Sequence, residues 1–145
     1  MSRLASSGSS QSGGAASLRE RAIDLYDSKG TRVGELALDK NGEAIARFGD
    51  DWLVRAEKQK ALVRLADGEK AGTFASGKAV IGTFSVGRDD TVAVTRGDSL
   101  ELWSRDDEKR WAVKGGPFLE VTIARDHVVA LSEDGPLVFF SRDNG

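Results

Sequence analysis

The 145 residues carry 21 Lys+Arg against 23 Asp+Glu, and the resulting net charge of −2 excludes a strongly basic nucleic-acid binder and an acidic tail. With no cysteine and one histidine, His127, the chain excludes disulfides, thiolate metal sites, cysteine nucleophiles and multi-histidine metal sites. A hydrophobic fraction of 39% suffices for the core of one domain, and 17 glycines against 2 prolines predict many tight turns.

Residues 1–17 hold seven serines and three glycines. That composition cannot offset the entropy of ordering, so it reads as a flexible tail, with residues 18–145 as the structured domain. Neither a secretory h-region nor an apolar run of the ~20 residues that cross a bilayer is present, so the expectation is a cytoplasmic protein with no membrane partner. Leu18–Ala22 is the one stretch where a helical turn is plausible.

From Ala22 onward, short β-branched and alternating runs predict strands at Ala22–Tyr26, Arg32–Leu38, Glu43–Phe48, Trp52–Ala56, Ala61–Leu65 and Ala79–Val86. The series continues with Thr91–Thr95, Leu100–Ser104, Arg110–Val113, Phe118–Ala124, His127–Leu131 and Leu137–Ser141. Between them stand turn formers such as Ser28-Lys29-Gly30, Asn41-Gly42, Gly49-Asp50, Asp67-Gly68, Gly97-Asp98 and Asp134-Gly135, able to adopt positive φ or to bond their own backbone. The fold class is therefore all-β.

The strands repeat. Thr91–Asp106 lies on Val128–Asp143 without a gap, so that Val92 falls on Val129, 37 residues on, and Trp103 on Phe140. Ile45-Ala46 through Leu53 is a fainter copy, and Ile23-Asp24-Leu25-Tyr26 echoes Leu100-Glu101-Leu102-Trp103. A four-stranded antiparallel unit recurring every ~40 residues is what a propeller blade requires.

Leu100-Glu101-Leu102-Trp103-Ser104-Arg105-Asp106 and Leu137-Val138-Phe139-Phe140-Ser141-Arg142-Asp143 resemble the third strand and following turn of WD-repeat and quinoprotein-like β-propeller blades. The resemblance implies about three four-stranded blades, at 31–66, 79–114 and 118–145, with 22–26 as the closing strand of the last. Three blades are fewer than the roughly four to eight of a ring. The readings are a segment continuing in a longer chain, a homo-oligomer that completes a ring, or a compact β-sandwich or barrel.

Candidate chemistry is sparse. Gly72-Thr73-Phe74-Ala75-Ser76-Gly77-Lys78-Ala79 nearly matches a phosphate loop, but Ala79 stands at the magnesium-ligand position and strand-like residues follow where a helix is needed. His127 with Ser132 and Asp134 suggests a triad, yet residues 127 and 132 have opposite parity on one strand. Asp50-Asp51, Asp89-Asp90, Asp106-Asp107 and Glu133-Asp134 lack calcium-loop spacing and suit turns. Trp52, Trp103, Trp111, Tyr26, Phe139 and Phe140 could form an aromatic ligand surface but better suit an inter-sheet core, and Trp52, opening its strand beside Asp50-Asp51, is the one of them best placed for exposure. Lysines and arginines are interleaved with acids, against nucleic acid as a partner.

The expectation is thus a non-enzymatic propeller-like module, without cofactor or metal, that acts as a scaffold for an unidentified protein partner. Its contact face would comprise Asp50, Asp51, Trp52, Gly97, Asp98, Glu133 and Asp134, on turns at one end of successive blades. The alternative is part of a ligand-binding or enzymatic quinoprotein-like propeller whose site needs further blades.

Overall fold

The computed structural model describes residues 3–5, 15–19, 22–38, 41–67 and 69–145. The chain divides into two compact units, 1–74 and 75–145. Each contains two antiparallel sheets, and no helix occurs among the described residues.

In the first unit, sheet I runs in chain order through β1 (Arg3–Ala5), β2 (Ala15–Leu18), β3 (Ala22–Tyr26) and β4 (Arg32–Ala37). Sheet II follows with β5 (Gly42–Phe48), β6 (Asp51–Ala56), β7 (Leu62–Ala66) and β8 (Glu69–Phe74). Period-two alternation puts Ala16, Leu18, Ile23 and Leu36 on one face of sheet I, where they pack with Ile45, Trp52, Val54 and Leu65 of sheet II. Burial of each large aliphatic side chain in this seam is worth about 1.5–3 kcal/mol.

The opposite face of sheet I is polar. Asp24 stands directly across from Glu35. Two like charges so placed repel, and two arginines reverse the balance. Arg19 lies 2.9 Å from Asp24 and 2.6 Å from Glu35, and Arg32 bridges the same two acids, 3.1 Å from Asp24.

In the second unit, sheet III is β9 (Phe84–Val86), β10 (Val92–Arg96), β11 (Ser99–Trp103) and β12 (Lys109–Lys114). Sheet IV has three strands, β13 (Phe118–Ile123), β14 (His127–Ser132) and β15 (Leu137–Ser141). Ala93, Leu100 and Leu102 of sheet III pack against Phe118, Val121, Val128 and Ala130 of sheet IV. The other face of sheet III holds a buried ion pair, Arg96 Nε to Glu101 Oε1 at 2.9 Å, and Trp103 Nε1 donates to the same oxygen at 2.9 Å. Arg96 also donates to the carbonyls of Ala75 and Ala79, so one guanidinium fixes the segment that leads into β9.

Several expectations are corrected. Arg3–Ala5 and Ala15–Leu18 are paired strands, not tail, while residues 6–14 lie outside the described residues. The strand at 32–37 pairs with β3 rather than with β5, so the groupings 31–66 and 22–26-with-118–145 give way to four sheets. The fourth strand of sheet II is β8, which alternation could not reveal because Glu69 to Thr73 are all exposed and only Phe74 is buried. Of Ala79–Val86 only Phe84–Val86 is a strand, although Gly82 and Thr83 also bond to the backbone of Thr95. No helical turn begins at Leu18, which ends β2; residues 20 and 21 are outside the described set.

The repeat survives with one amendment. Trp103 pairs with Val92, and Phe140 pairs with Val128, so the two aromatics occupy matching places on third strands. Third strands therefore correspond at an offset of 37, but second strands correspond at 36, since Val92 matches Val128 and not Val129. The difference lies in the turn. Gly97-Asp98 alone separates the pair Arg96↔Ser99, whereas Glu133, Asp134 and Gly135 separate Ser132 from Pro136, whose carbonyl bonds the Ser132 N–H. Gly135, at φ 107, takes up the extra residue. A gapless alignment would put Ala130 on the wrong face, because one residue of slip inverts a strand.

Candidate functional site

A cleft of about 310 Å³ in the first unit opens at one end of its two sheets. That volume is at the lower limit of ordinary ligand sites. Its rim comes from three turns: Asp27 and Ser28 after β3, Asp50 after β5, and Asp67 after β7. In both sheets these connect first to second or third to fourth strands, and antiparallel order brings such turns to a single end of a sheet. Tyr26, Leu25, Trp52 and Leu65 supply the floor.

The electrostatics are acidic. Three carboxylates, Asp27, Asp50 and Asp67, face one cation, Arg47. Arg47 is already engaged, donating from Nε to the Gly49 carbonyl at 3.1 Å with its guanidinium 4.8 Å from the Trp52 ring centroid. One Asp27 oxygen accepts the Lys29 and Thr31 N–H groups, both at 2.9 Å, which shapes the turn. Asp50 and Asp67 make no ion pair among the described residues. Asp67 adopts φ 52, a left-handed conformation that Asp tolerates better than most residues.

Of the seven residues expected to form a contact face, the structure joins some and separates others. Asp50 is exposed on the cleft rim. Asp51 turns instead to Arg64 on the neighbouring strand, 2.8 Å away. Trp52 is only 8% exposed, which corrects the expectation that it projects into solvent; its ring is part of the seam between sheets I and II and meets the cleft only as floor. Gly97-Asp98 and Glu133-Asp134 do lie together at one end of the second unit. The Asp98 carbonyl accepts from Gly115 and Gly116, and Glu133 N–H donates to the Pro117 carbonyl at 3.0 Å, so one linker ties both turns. These two connect second to third strands, whereas Gly49-Asp50 connects a first to a second strand. In their own sheets they therefore occupy the opposite kind of end, and the seven residues are not equivalent positions of a repeat.

Asp27 and Arg47 escape sequence reasoning, which reads Tyr26 only as a core aromatic and Asp67 only as a turn former. The signal was an aspartate at or just before three turns, and it was hidden by assigning residues 32–38 to the wrong sheet. At the far end of the second unit, Arg142 reaches Asp89 at 2.5 Å, Thr91 Oγ1 at 3.0 Å and the Arg125 carbonyl at 3.0 Å. Burial pushes the Asp89 carboxyl up, but hydrogen bonds from Thr91 and Arg142 with the Arg142 charge outweigh it and hold the group at about 2.

His127 opens β14 and Ser132 closes it, on the order of 16 Å apart at the rise of an extended strand. Gly77 of the phosphate-loop-like stretch faces the Arg96 guanidinium, and no helix follows Lys78. No group of three or more His, Asp or Glu among the described residues is placed to hold a metal ion. No described helix is long and apolar enough to cross a membrane.

No protein-family model and no curated protein matches the sequence. Solved structures do match in shape. BBS1N, solved in complex with ARL6DN, is 9% identical with a TM-score of 0.74, covering 87% of this chain and 45% of that one. The Neurospora crassa Pan2 WD40 domain is 10% identical with a TM-score of 0.75, covering 97% of this chain and 49% of that one. The computationally designed Ika4 protein is 15% identical with a TM-score of 0.70, covering 95% of this chain and 88% of that one. The chain thus spans about half the length of the first two. Its sheets have the fold of β-propeller blades, and the described residues form four of them rather than three.

Proposed function

We propose that this β-propeller module is a non-enzymatic protein-interaction scaffold that accepts a basic peptide segment in the acidic, aromatic cleft of its first unit. The supporting observation is the convergence of Asp27, Asp50 and Asp67 around Tyr26 and Trp52 in a cleft of about 310 Å³. Carboxylates accept charge-assisted hydrogen bonds from lysine or arginine. Arg47 over Trp52 is an internal example of a guanidinium seated on this ring. Turns held by rigid sheets are where such folds carry function, and BBS1N, of like fold, was solved with a protein bound. The turns at Gly97-Asp98 and Glu133-Asp134 offer a second contact surface.

Fluorescence anisotropy with a labelled arginine-rich peptide tests the reading. Binding is expected to weaken with salt and to fall about tenfold in Asp50→Asn/Asp67→Asn, through loss of roughly 1.4 kcal/mol of charge-assisted contact. Equal affinity for variant and parent overturns it.

The span of about half a solved propeller favours one further reading, in which additional blades complete a ligand-binding or enzymatic site. In that reading this chain supplies part of the lining, so a thermal-shift screen with ions, quinones and sugars that shows no stabilisation argues against it.

A further inference from the structure

We infer that the cleft of the first unit is a socket for a guanidinium, so that arginine and not lysine is the side chain its ligand inserts; this rests on the basic-peptide reading above. The repeat supplies the observation. Trp52 in sheet II and Val128 in sheet IV hold the same place after the first turn, since they pair with Arg47 and Ile123 respectively. On their other side they pair with Leu65 and Phe140. Asp67 follows Leu65 by two residues and Arg142 follows Phe140 by two, so Asp67 and Arg142 are equivalent positions.

Arg142 shows what that position does in the second unit. Its side chain crosses from sheet IV to the first turn of sheet III, reaching Asp89 at 2.5 Å and Thr91 Oγ1 at 3.0 Å, and it also donates to the Arg125 carbonyl at 3.0 Å. The corner between those two sheets is thus filled from within by an arginine. In the first unit the sign is inverted. Asp67 stands where the arginine would be, and Asp27 and Asp50 share its cleft. Arg47, in the place of Ile123, points to the Gly49 carbonyl and the Trp52 ring and makes no ion pair among the described residues. Three carboxylates against one cation leave the cleft anionic, and the arginine that the second unit carries in its own chain is here left to a ligand.

Geometry separates guanidinium from ammonium. The carboxylates come from three turns, and a planar fork of N–H donors spans separate acceptors, as Arg142 does; a lysine ammonium is compact and more strongly hydrated. The floor is aromatic, and a guanidinium stacks on a ring face. Arg47 already lies over Trp52, so Tyr26 is the ring available to an incoming side chain.

Fluorescence anisotropy of the whole chain with two labelled peptides of equal length and charge, one bearing arginines and the other lysines, tests this. The arginine peptide should bind about tenfold tighter or more. That preference should shrink to within about twofold in Tyr26→Leu, at unchanged circular dichroism and unchanged lysine-peptide affinity, and likewise in Asp50→Asn/Asp67→Asn. Equal binding of the two peptides by the parent, both weakened in Asp50→Asn/Asp67→Asn, overturns the guanidinium socket and leaves the basic-peptide reading standing. A preference that persists in both variants also overturns the socket, because it arises elsewhere on the surface. Failure of both peptides to bind overturns the cleft reading and this inference together.

Discussion

Gly77 lies so close beneath Arg96 that a Cβ at position 77 would come 2.5 Å from Cζ and 2.8 Å from Nε. The guanidinium cannot retreat, because it is held by the Glu101 carboxylate and by two backbone carbonyls. A residue that in sequence suggested a phosphate loop thus owes its identity to packing against a buried cation.

Gly77→Ala should consequently destabilise the protein by about 1–3 kcal/mol, the usual cost of overpacking. Urea denaturation measures it. In the Arg96→Met background the same substitution should cost clearly less, and equal costs in both backgrounds would contradict the assigned clash.

Removing one member of the buried pair should be worse. Glu101→Gln leaves Arg96 without its counter-charge, and breaking such pairs costs about 3–5 kcal/mol. Lys109, 3.7 Å from the same carboxylate and 48% exposed at its side chain, should matter little when replaced by alanine, within about 1 kcal/mol. Thermal unfolding of the two variants ranks them.

Asp89 sets an acid-sensitive step. Its carboxyl ionises at about 2 in the folded chain against an ordinary 3.8, so the folded state binds the proton less readily than the unfolded state. The stabilisation from its pairing with Arg142 is present above the ordinary value and drains away as pH falls from near 4 toward 2. Asp89→Asn should therefore be less stable than the parent at neutral pH, with the gap closing through that window. Denaturation curves at a series of acidic pH values would show it, and a gap independent of pH would refute it.

Trp52→Ala should cost about 3–5 kcal/mol, since the ring belongs to the seam between sheets I and II. Asp50→Asn, on an exposed turn, should leave stability within about 0.5 kcal/mol. Chemical denaturation distinguishes a structural tryptophan from an exposed contact residue.

How far the sequence disclosed this architecture follows from where alternation is visible. Strands with one face in a core, such as Leu100–Trp103 and Leu137–Ser141, advertise themselves through period-two patterning and matching aromatics. Strands β1 and β2, rich in small residues, and β8, exposed along almost its whole length, carry no such pattern. Their omission moved every sheet boundary before residue 79. The cleft suffered for the same reason: Asp50 was visible as a turn residue, but its proximity to Asp27 and Asp67 depends on strand order. Trp52 misled because a residue opening a strand beside two aspartates can equally point inward, and Arg47 covers it.

The single additional residue in the loop at Glu133–Gly135 has a consequence for how such arrays diverge. Because Gly135 absorbs the insertion outside the paired strands, the phase of inward and outward side chains on either side is untouched. Duplicated segments can therefore drift in length at their hairpins while their cores stay interchangeable, and this loop is the natural position at which to graft a foreign peptide.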